Sequence, residues 1–250
     1  MRHVLALGKR ELISYFLSPV GYVVGFLFVG LYTFFFYLSF AGSSDANEVL
    51  TSGVANVGII AIFAVPFLTM GLLADERKSG TIEMLMTAPI RDWEVVIGKY
   101  MGAVIYVGCL IAPSLLQLAV VRMYGLPEWG PIISAYLGLT LLMMMLLALG
   151  LFFSAISKDL LVAVMLSFVA LMTLLILGMV PESSPAIEGS GLFANALHYV
   201  FAFLRYASVG EHYMNFFSGV VNSKDVVYFV SATIFALFVS TLAVESRKWK

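Results

Sequence analysis

Hydrophobic positions along this chain come in long blocks, with no alternating or one-sided pattern. Stretches free of Asp, Glu, Lys and Arg run over residues 12–44, 49–74, 100–121, 129–157, 160–181 and 226–244. A helix needs about 20 apolar residues to cross a hydrocarbon layer of about 30 Å. The pattern therefore predicts crossings near 20–40, 55–74, 100–121, 132–156, 160–180 and 226–244. Strands of a membrane barrel would be about ten residues long and would alternate in polarity. These blocks are longer and apolar on every face. The predicted fold class is an all-α membrane protein with six transmembrane helices.

Between the blocks lie four segments of different character. Residues 3–18 set Val4, Leu5, Leu7, Leu12, Ile13, Phe16 and Leu17 beside Lys9, Arg10 and Glu11. This predicts an amphipathic interfacial helix, stopped by Pro19. Residues 41–54 read as a short polar outer loop, and residues 75–99 as a charged loop. Residues 181–225 form the longest connection, with an uncharged stretch at 189–204 too short to span. Its aromatic residues, among them Tyr199, Phe201, Phe203, Tyr206, Tyr213, Phe216 and Phe217, predict one or two short outer helices, interfacial or re-entrant, between spans five and six. No cleavable leader is expected, because Arg2, Lys9, Arg10 and Glu11 interrupt the first 19 residues. No internal repeat or low-complexity tract is visible.

Composition agrees and adds a direction. Hydrophobic residues make up 61% of the 250 and charged residues 12%; soluble domains sit near 45–50% and 25%. Mean hydropathy is +0.99. A soluble enzyme, a disordered chain and a disulfide scaffold are excluded. Net charge is −1, which gives no reason to expect a nucleic-acid partner. With the N-terminus inside, 11 of the 14 Lys and Arg fall on the cytoplasmic side and only Arg122, Arg205 and Lys224 outside. The positive-inside bias thus predicts that both termini are cytoplasmic.

Candidate chemistry narrows mostly by absence. No P-loop, no H-E-x-x-H and no G-x-S-x-G occurs. The spans carry no Asp, Glu, Lys or Arg at their centres, whereas ion-coupled carriers keep such groups there for function. Met143, Met144 and Met145 point to different helix faces and cannot converge on one metal, so they read as packing. Cys109, in an apolar run, reads as a buried thiol. His198 and His212 read as interfacial polar residues. Gly21-x-x-x-Gly25 and Gly98-x-x-x-Gly102 allow close helix contact. No catalytic, cofactor or metal residue is assigned.

The segment 74–100, ADERKSGTIEMLMTAPIRDWEVVIGKY, stands apart. It holds charges of both signs and is longer than a simple connection needs. Gly80 is placed to end the preceding helix, 81–86 to form a short turn before Pro89, and Asp92 to cap the next helix. Such a loop suits a soluble partner.

The run Glu76-Arg77-Lys78-Ser79-Gly80-Thr81-Ile82-Glu83-Met84-Leu85, followed by Ala88-Pro89 and Trp93 to Lys99, resembles the first cytoplasmic loop of ABC-2-type transporter permeases. Arg10-Glu11-Leu12 and Tyr15 to Tyr22 resemble the same family, most closely its gliding-motility-type branch. The resemblance covers the whole layout. It implies one transmembrane domain over 1–250: an interfacial helix (1–19), spans one to five (20–180), an outer segment (181–225), then span six and a cytoplasmic tail (226–250).

What the resemblance implies is a permease subunit of an ATP-driven exporter in the bacterial inner membrane. It would pair with a second permease protomer, identical or related, and dock two copies of a separate ATP-binding subunit, which would hold the ATP and Mg. Residues 75–89 would form the coupling helix, with Asp75, Glu76, Arg77, Gly80, Thr81, Glu83 and Pro89 in that role. Ser157-Lys158-Asp159 would make a second contact, through Lys158 and Asp159. Phe201, Phe203, Tyr206, Phe216 and Phe217 are outer gate candidates. The competing readings are a membrane anchor for a cytoplasmic ATPase in an envelope or motility machine without transport, and an ATP-independent channel or carrier.

Overall fold

The computed structural model of the chain describes residues 2–43, 45–78, 80, 91–177 and 208–246. Every regular element among them is helical: α1 (Arg2–Leu17), α2 (Pro19–Gly42), α3 (Ala46–Thr69), α4 (Gly71–Lys78), α5 (Asp92–Ile111), α6 (Ser114–Tyr124), α7 (Trp129–Ile156), α8 (Leu160–Ile176), α9 (Val209–Asn215), a 3-10 turn at Phe216–Ser218, and α10 (Ser223–Glu245). Five helical stretches in these residues are long and apolar enough to cross a membrane: Pro19–Gly42, Ala46–Lys78, Asp92–Tyr124, Trp129–Ile156 and Ser223–Glu245. The fifth predicted crossing corresponds to the shorter apolar helix α8. The chain is an all-α, multi-pass membrane protein.

The bundle is built around α3 and α7. Their apolar windows are 67% and 61% buried, against 17% for α2 and 22% for α10. Helix α3 packs on α2, α7 and α8; α10 packs along α7, and α1 along α5. On α2 the buried positions are Gly21, Gly25, Phe28 and Tyr32, one stripe at helical spacing. Val24, Val29, Phe36 and Phe40 are half-buried against the core, and most of the remaining positions are apolar and exposed, as lipid allows.

Helix α1 lies against α5 through glycine contacts. A Cβ on Gly98 would stand 3.1 Å from the Val4 carbonyl oxygen and 2.8 Å from the Leu7 Cβ. One on Gly102 would stand 2.8 Å from the Gly8 carbonyl oxygen. The Gly98-x-x-x-Gly102 spacing is therefore what lets the two backbones approach. The opposite face of α1 exposes Leu5, Ile13, Phe16 and Leu17. Pro19 opens α2 as its first helical residue, where its missing N–H costs nothing.

Several boundaries differ from the sequence expectation. The outer loop set at 41–54 shrinks to the link between Gly42 and Ala46, because the Asp45 side chain caps α3 by accepting from Asn47 N at 2.9 Å. The loop set at 75–99 is helical up to Lys78 and again from Asp92. Asp92 is the first residue of α5 and Arg91 is its cap; Glu94 reaches back to accept from Arg91 N at 3.1 Å. The third crossing starts at Asp92 and is broken at Ala112-Pro113. Cys109 is exposed on the outside of the bundle, not buried: in a membrane helix an apolar neighbourhood does not distinguish lipid from core. Met143 and Met145 are buried in the main core, as packing requires.

Candidate functional site: a charged helix end braced by its neighbours

The site begins at a break in a helix. Pro66 sits inside α3 and has no N–H to donate. The helix ends at Thr69 and resumes at Gly71 as α4. The Ser154 hydroxyl of α7 enters this break: it donates to the Met70 carbonyl at 2.9 Å and accepts from Leu73 N and Ala74 N, each at 3.1 Å. In an unbroken helix Ala74 N would bond Met70 O directly, so the side chain is inserted into the ladder. Thr69 fills the notch at Gly150, where an added Cβ would come within 2.2 Å of the Thr69 hydroxyl.

Beyond the break, α4 carries the charged residues singled out in the sequence. Arg77 Nη1 donates to the Ser157 carbonyl and reaches Ala155 O at 3.4 Å. Lys78 Nζ lies 3.4 Å from Asp159 Oδ1, both side chains more than half exposed. The end of α4 thus lies on the 157–159 link, and the two segments form one continuous surface. Lys158 is exposed there. Gly80 has φ of 71° and donates to Arg77 O at 3.2 Å, a left-handed stop that a residue with a Cβ resists.

Lys99 of α5 is buried between two carboxylates, 3.0 Å from Glu76 Oε1 on α4 and 3.2 Å from Glu11 Oε2 on α1. The Tyr15 hydroxyl of α1 donates to Leu68 O at 2.6 Å, just ahead of the break. Burial, with Glu11 adding to it, pushes the Tyr15 phenol well above its usual range, so it stays a donor. Three helices meet at one ammonium, and the amphipathic helix is bonded to α4.

Of the residues expected to couple, Asp75, Glu76, Arg77, Gly80, Lys158 and Asp159 converge at this end of the molecule. Thr81, Glu83 and Pro89 lie outside the described residues. Glu11, Lys99 and Ser154 belong to the same assembly and were not expected. Among the described residues no group of three or more His, Cys, Asp and Glu is placed to hold a metal. The arrangement ties α1, α4, α5 and α7 together through side-chain hydrogen bonds and ion pairs.

At the opposite end, Phe216 is buried at 1% exposure, over Gly138 of α7 and against Phe229 of α10. That is a wedge in the core. Phe217 is partly buried and meets Tyr213 edge to face at 5.0 Å. Phe201, Phe203 and Tyr206 lie outside the described residues, as does His198. His212, read from sequence as interfacial, is buried: its Nδ1 is 2.5 Å from Asp225 Oδ1, and its ring stacks on Tyr228. Asn215 donates to both oxygens of Asp225, at 3.3 and 3.2 Å. The cluster ties α9 to α10. Tyr213 ties α9 to α3 by donating to Val54 O at 2.8 Å.

No individually curated protein matches the chain in sequence. The family described as ABC-2 type transporter matches residues 2–209, which takes in α1, α4, the 157–159 link and all the helices up to the start of α9. With a multi-pass helical bundle beneath that match, the chain belongs to the ABC-2 type transporter family and is a membrane permease component of an ABC transporter, a class that works with an ABC ATP-binding subunit.

Proposed function

We propose that this permease drives export across the bacterial inner membrane, with α4 docked on the ATP-binding partner as a lever. One observation supports the reading above the others: Arg77 and Lys78, at the tip of α4, engage Ser157 and Asp159 of the second cytoplasmic link. The result is a single charged surface facing the side where Lys and Arg concentrate. Both termini then lie in the cytoplasm, in accord with the positive-inside bias.

The surface serves as the seat for the ATP-binding subunit, with Asp75, Glu76, Arg77, Gly80, Lys158 and Asp159 contributing, and Thr81, Glu83 and Pro89 completing the helix that enters its cleft. Two permease chains pair, and two ATP-binding subunits sit beneath them. ATP and Mg are held by those subunits. When they close on ATP they pull on α4. Because α4 is bonded to α7 through Ser154 and Arg77 and to α5 and α1 through the Glu76–Lys99–Glu11 cluster, the pull moves a rigid group of helices. Outside, Phe217 with Phe201, Phe203 and Tyr206 forms the aromatic exit; Phe216 instead packs in the core on Gly138 and Phe229.

The test is reconstitution with the cognate ATP-binding subunit. Arg77→Glu, or Glu83→Ala, is expected to leave membrane insertion intact and to abolish substrate-coupled ATP hydrolysis. Wild-type coupled rates in both variants would refute the docking assignment.

A further inference from the structure

Ser18 alone links α1 to α2, and Tyr106 of α5 stands at that elbow. The Tyr15 carbonyl of α1 turns onto the first turn of α2, so closely that a Cβ on Gly21 would overlap its oxygen. The Tyr106 hydroxyl donates to the Gly21 carbonyl at 2.8 Å. One turn on, a Cβ at Gly25 would stand 2.8 Å from that same hydroxyl. Gly21-x-x-x-Gly25 is therefore a slot: the first glycine admits the end of α1, and the second admits a phenol. The Tyr106 ring stacks on Tyr15, with centroids 4.7 Å apart and planes 13° from parallel, and meets Phe16 edge to face at 5.3 Å. Tyr15 in turn donates to Leu68 O of α3.

One buried side chain thus touches both sides of the elbow. Little else holds α2 there: its buried positions are Gly21, Gly25, Phe28 and Tyr32, and the first two are the slot itself. A carbonyl has two lone pairs, so Gly21 O can accept the phenol and still serve its own helix. Both ring contacts are geometries that aromatic pairs favour, and they fix α1 against α5. Farther along α1, Glu11 pairs with Lys99, which also holds Glu76 of α4. A displacement of α4 reaches α1 through that ammonium, and reaches α2 through the elbow. We propose that Tyr106 is a positioning residue of the transport cycle, which sets the angle between α1 and α2 and passes a displacement of α1 on to α2. That ATP binding supplies the displacement rests on the docking reading above; the setting of the elbow does not.

The test uses the full-length chain in nanodiscs, in a Cys109→Ala background, with spin labels at Leu5→Cys on α1 and Phe34→Cys on α2, both exposed positions. Labelled chains are diluted into unlabelled ones, so that only distances within one chain are read. The expected result is one narrow distance with Tyr106 and Gly25 intact. That single peak is expected to be lost in Tyr106→Phe, which removes only the hydroxyl, and in Gly25→Ala, which displaces it. The unfolding temperature of each protein reports that it is folded. An unchanged peak in Tyr106→Phe overturns the proposal whatever Gly25→Ala does, even with a lower unfolding temperature, because a hydroxyl that only stabilises does not set the elbow. This readout needs no partner, so failure here is separable from failure of the docking reading. A second arm adds the ATP-binding subunit with ATP and vanadate. The distance is expected to shift with Tyr106 intact, and Tyr106→Phe to bind the subunit with wild-type affinity and lose the shift. With the subunit bound, no shift when Tyr106 is intact, or a shift that survives in Tyr106→Phe, overturns the passing of displacement to α2.

Discussion

The Ser154 hydroxyl donates to the Met70 carbonyl at 2.9 Å, across 84 residues of sequence, and in doing so replaces a rung of the helix it touches. Its lone pairs accept from Leu73 N and Ala74 N. A break that would leave backbone groups unsatisfied is closed by a neighbouring helix, the standard requirement inside a membrane protein. The join between α3 and α4 is thereby bonded to α7.

Removing that hydroxyl leaves two donors and a carbonyl without partners. Ser154→Ala is expected to cost about 1–3 kcal/mol of stability, and to speed hydrogen exchange at Leu73 and Ala74 more than at any amide of α7. Ser154→Thr, which keeps the hydroxyl, is the comparison. Unchanged exchange at Leu73 and Ala74 in Ser154→Ala would remove the hydroxyl from the hinge.

The notch below it gives a steric test. Gly150→Ala drives a methyl into Thr69, whose hydroxyl would be 2.2 Å away. Overpacking of this kind costs about 1–3 kcal/mol. Thr69→Ala should recover most of the loss in the double variant, since the two side chains compete for one space. Thermal unfolding of the four proteins in one detergent measures the coupling, and simple additivity would count against the contact.

Lys99 offers an electrostatic test. Truncating one partner of a buried ion cluster costs about 3–5 kcal/mol, because the remaining charges are left unpaired. Glu11 and Glu76 are each about a fifth exposed, so Lys99→Met should fall at or below the low end of that range. Adding Glu11→Gln and Glu76→Gln to Lys99→Met is expected to restore much of the stability. A Lys99→Met protein as stable as the wild type would show that the cluster does not hold α1, α4 and α5 together.

Five of the six predicted crossings were legible in the sequence because charges mark the borders of the apolar blocks, and the stop at Gly80 because a left-handed cap requires glycine. The start of α3 was hidden: Asp45 and Glu48 look like loop residues until the Asp45 cap is seen. Pro113 announces the break between α5 and α6, yet it lies inside an apolar block whose length alone suggests one straight helix. The charged end of α4 was half legible. Arg77 and Asp159 draw attention as charges between apolar blocks, but nothing in the chain says that α4 lies on the 157–159 link. Lys99 and Glu11 are 88 residues apart, and only folding brings them together. Ser154 reads as one more small residue in an apolar helix, and Cys109 as core where it faces outward.

The most direct measurement of the central claim is the affinity of the purified cognate ATP-binding subunit for the full-length permease in nanodiscs. The permeases compared are wild type, Arg77→Glu, Lys158→Glu and the outer control Arg122→Glu, whose residue stacks on Trp129 at the other end of the molecule. The account predicts wild-type affinity for Arg122→Glu and binding weaker by about tenfold or more, about 1.4 kcal/mol, for each of the two inner substitutions. Equal affinity across all four proteins would contradict the assignment of α4 and the 157–159 link as the docking surface.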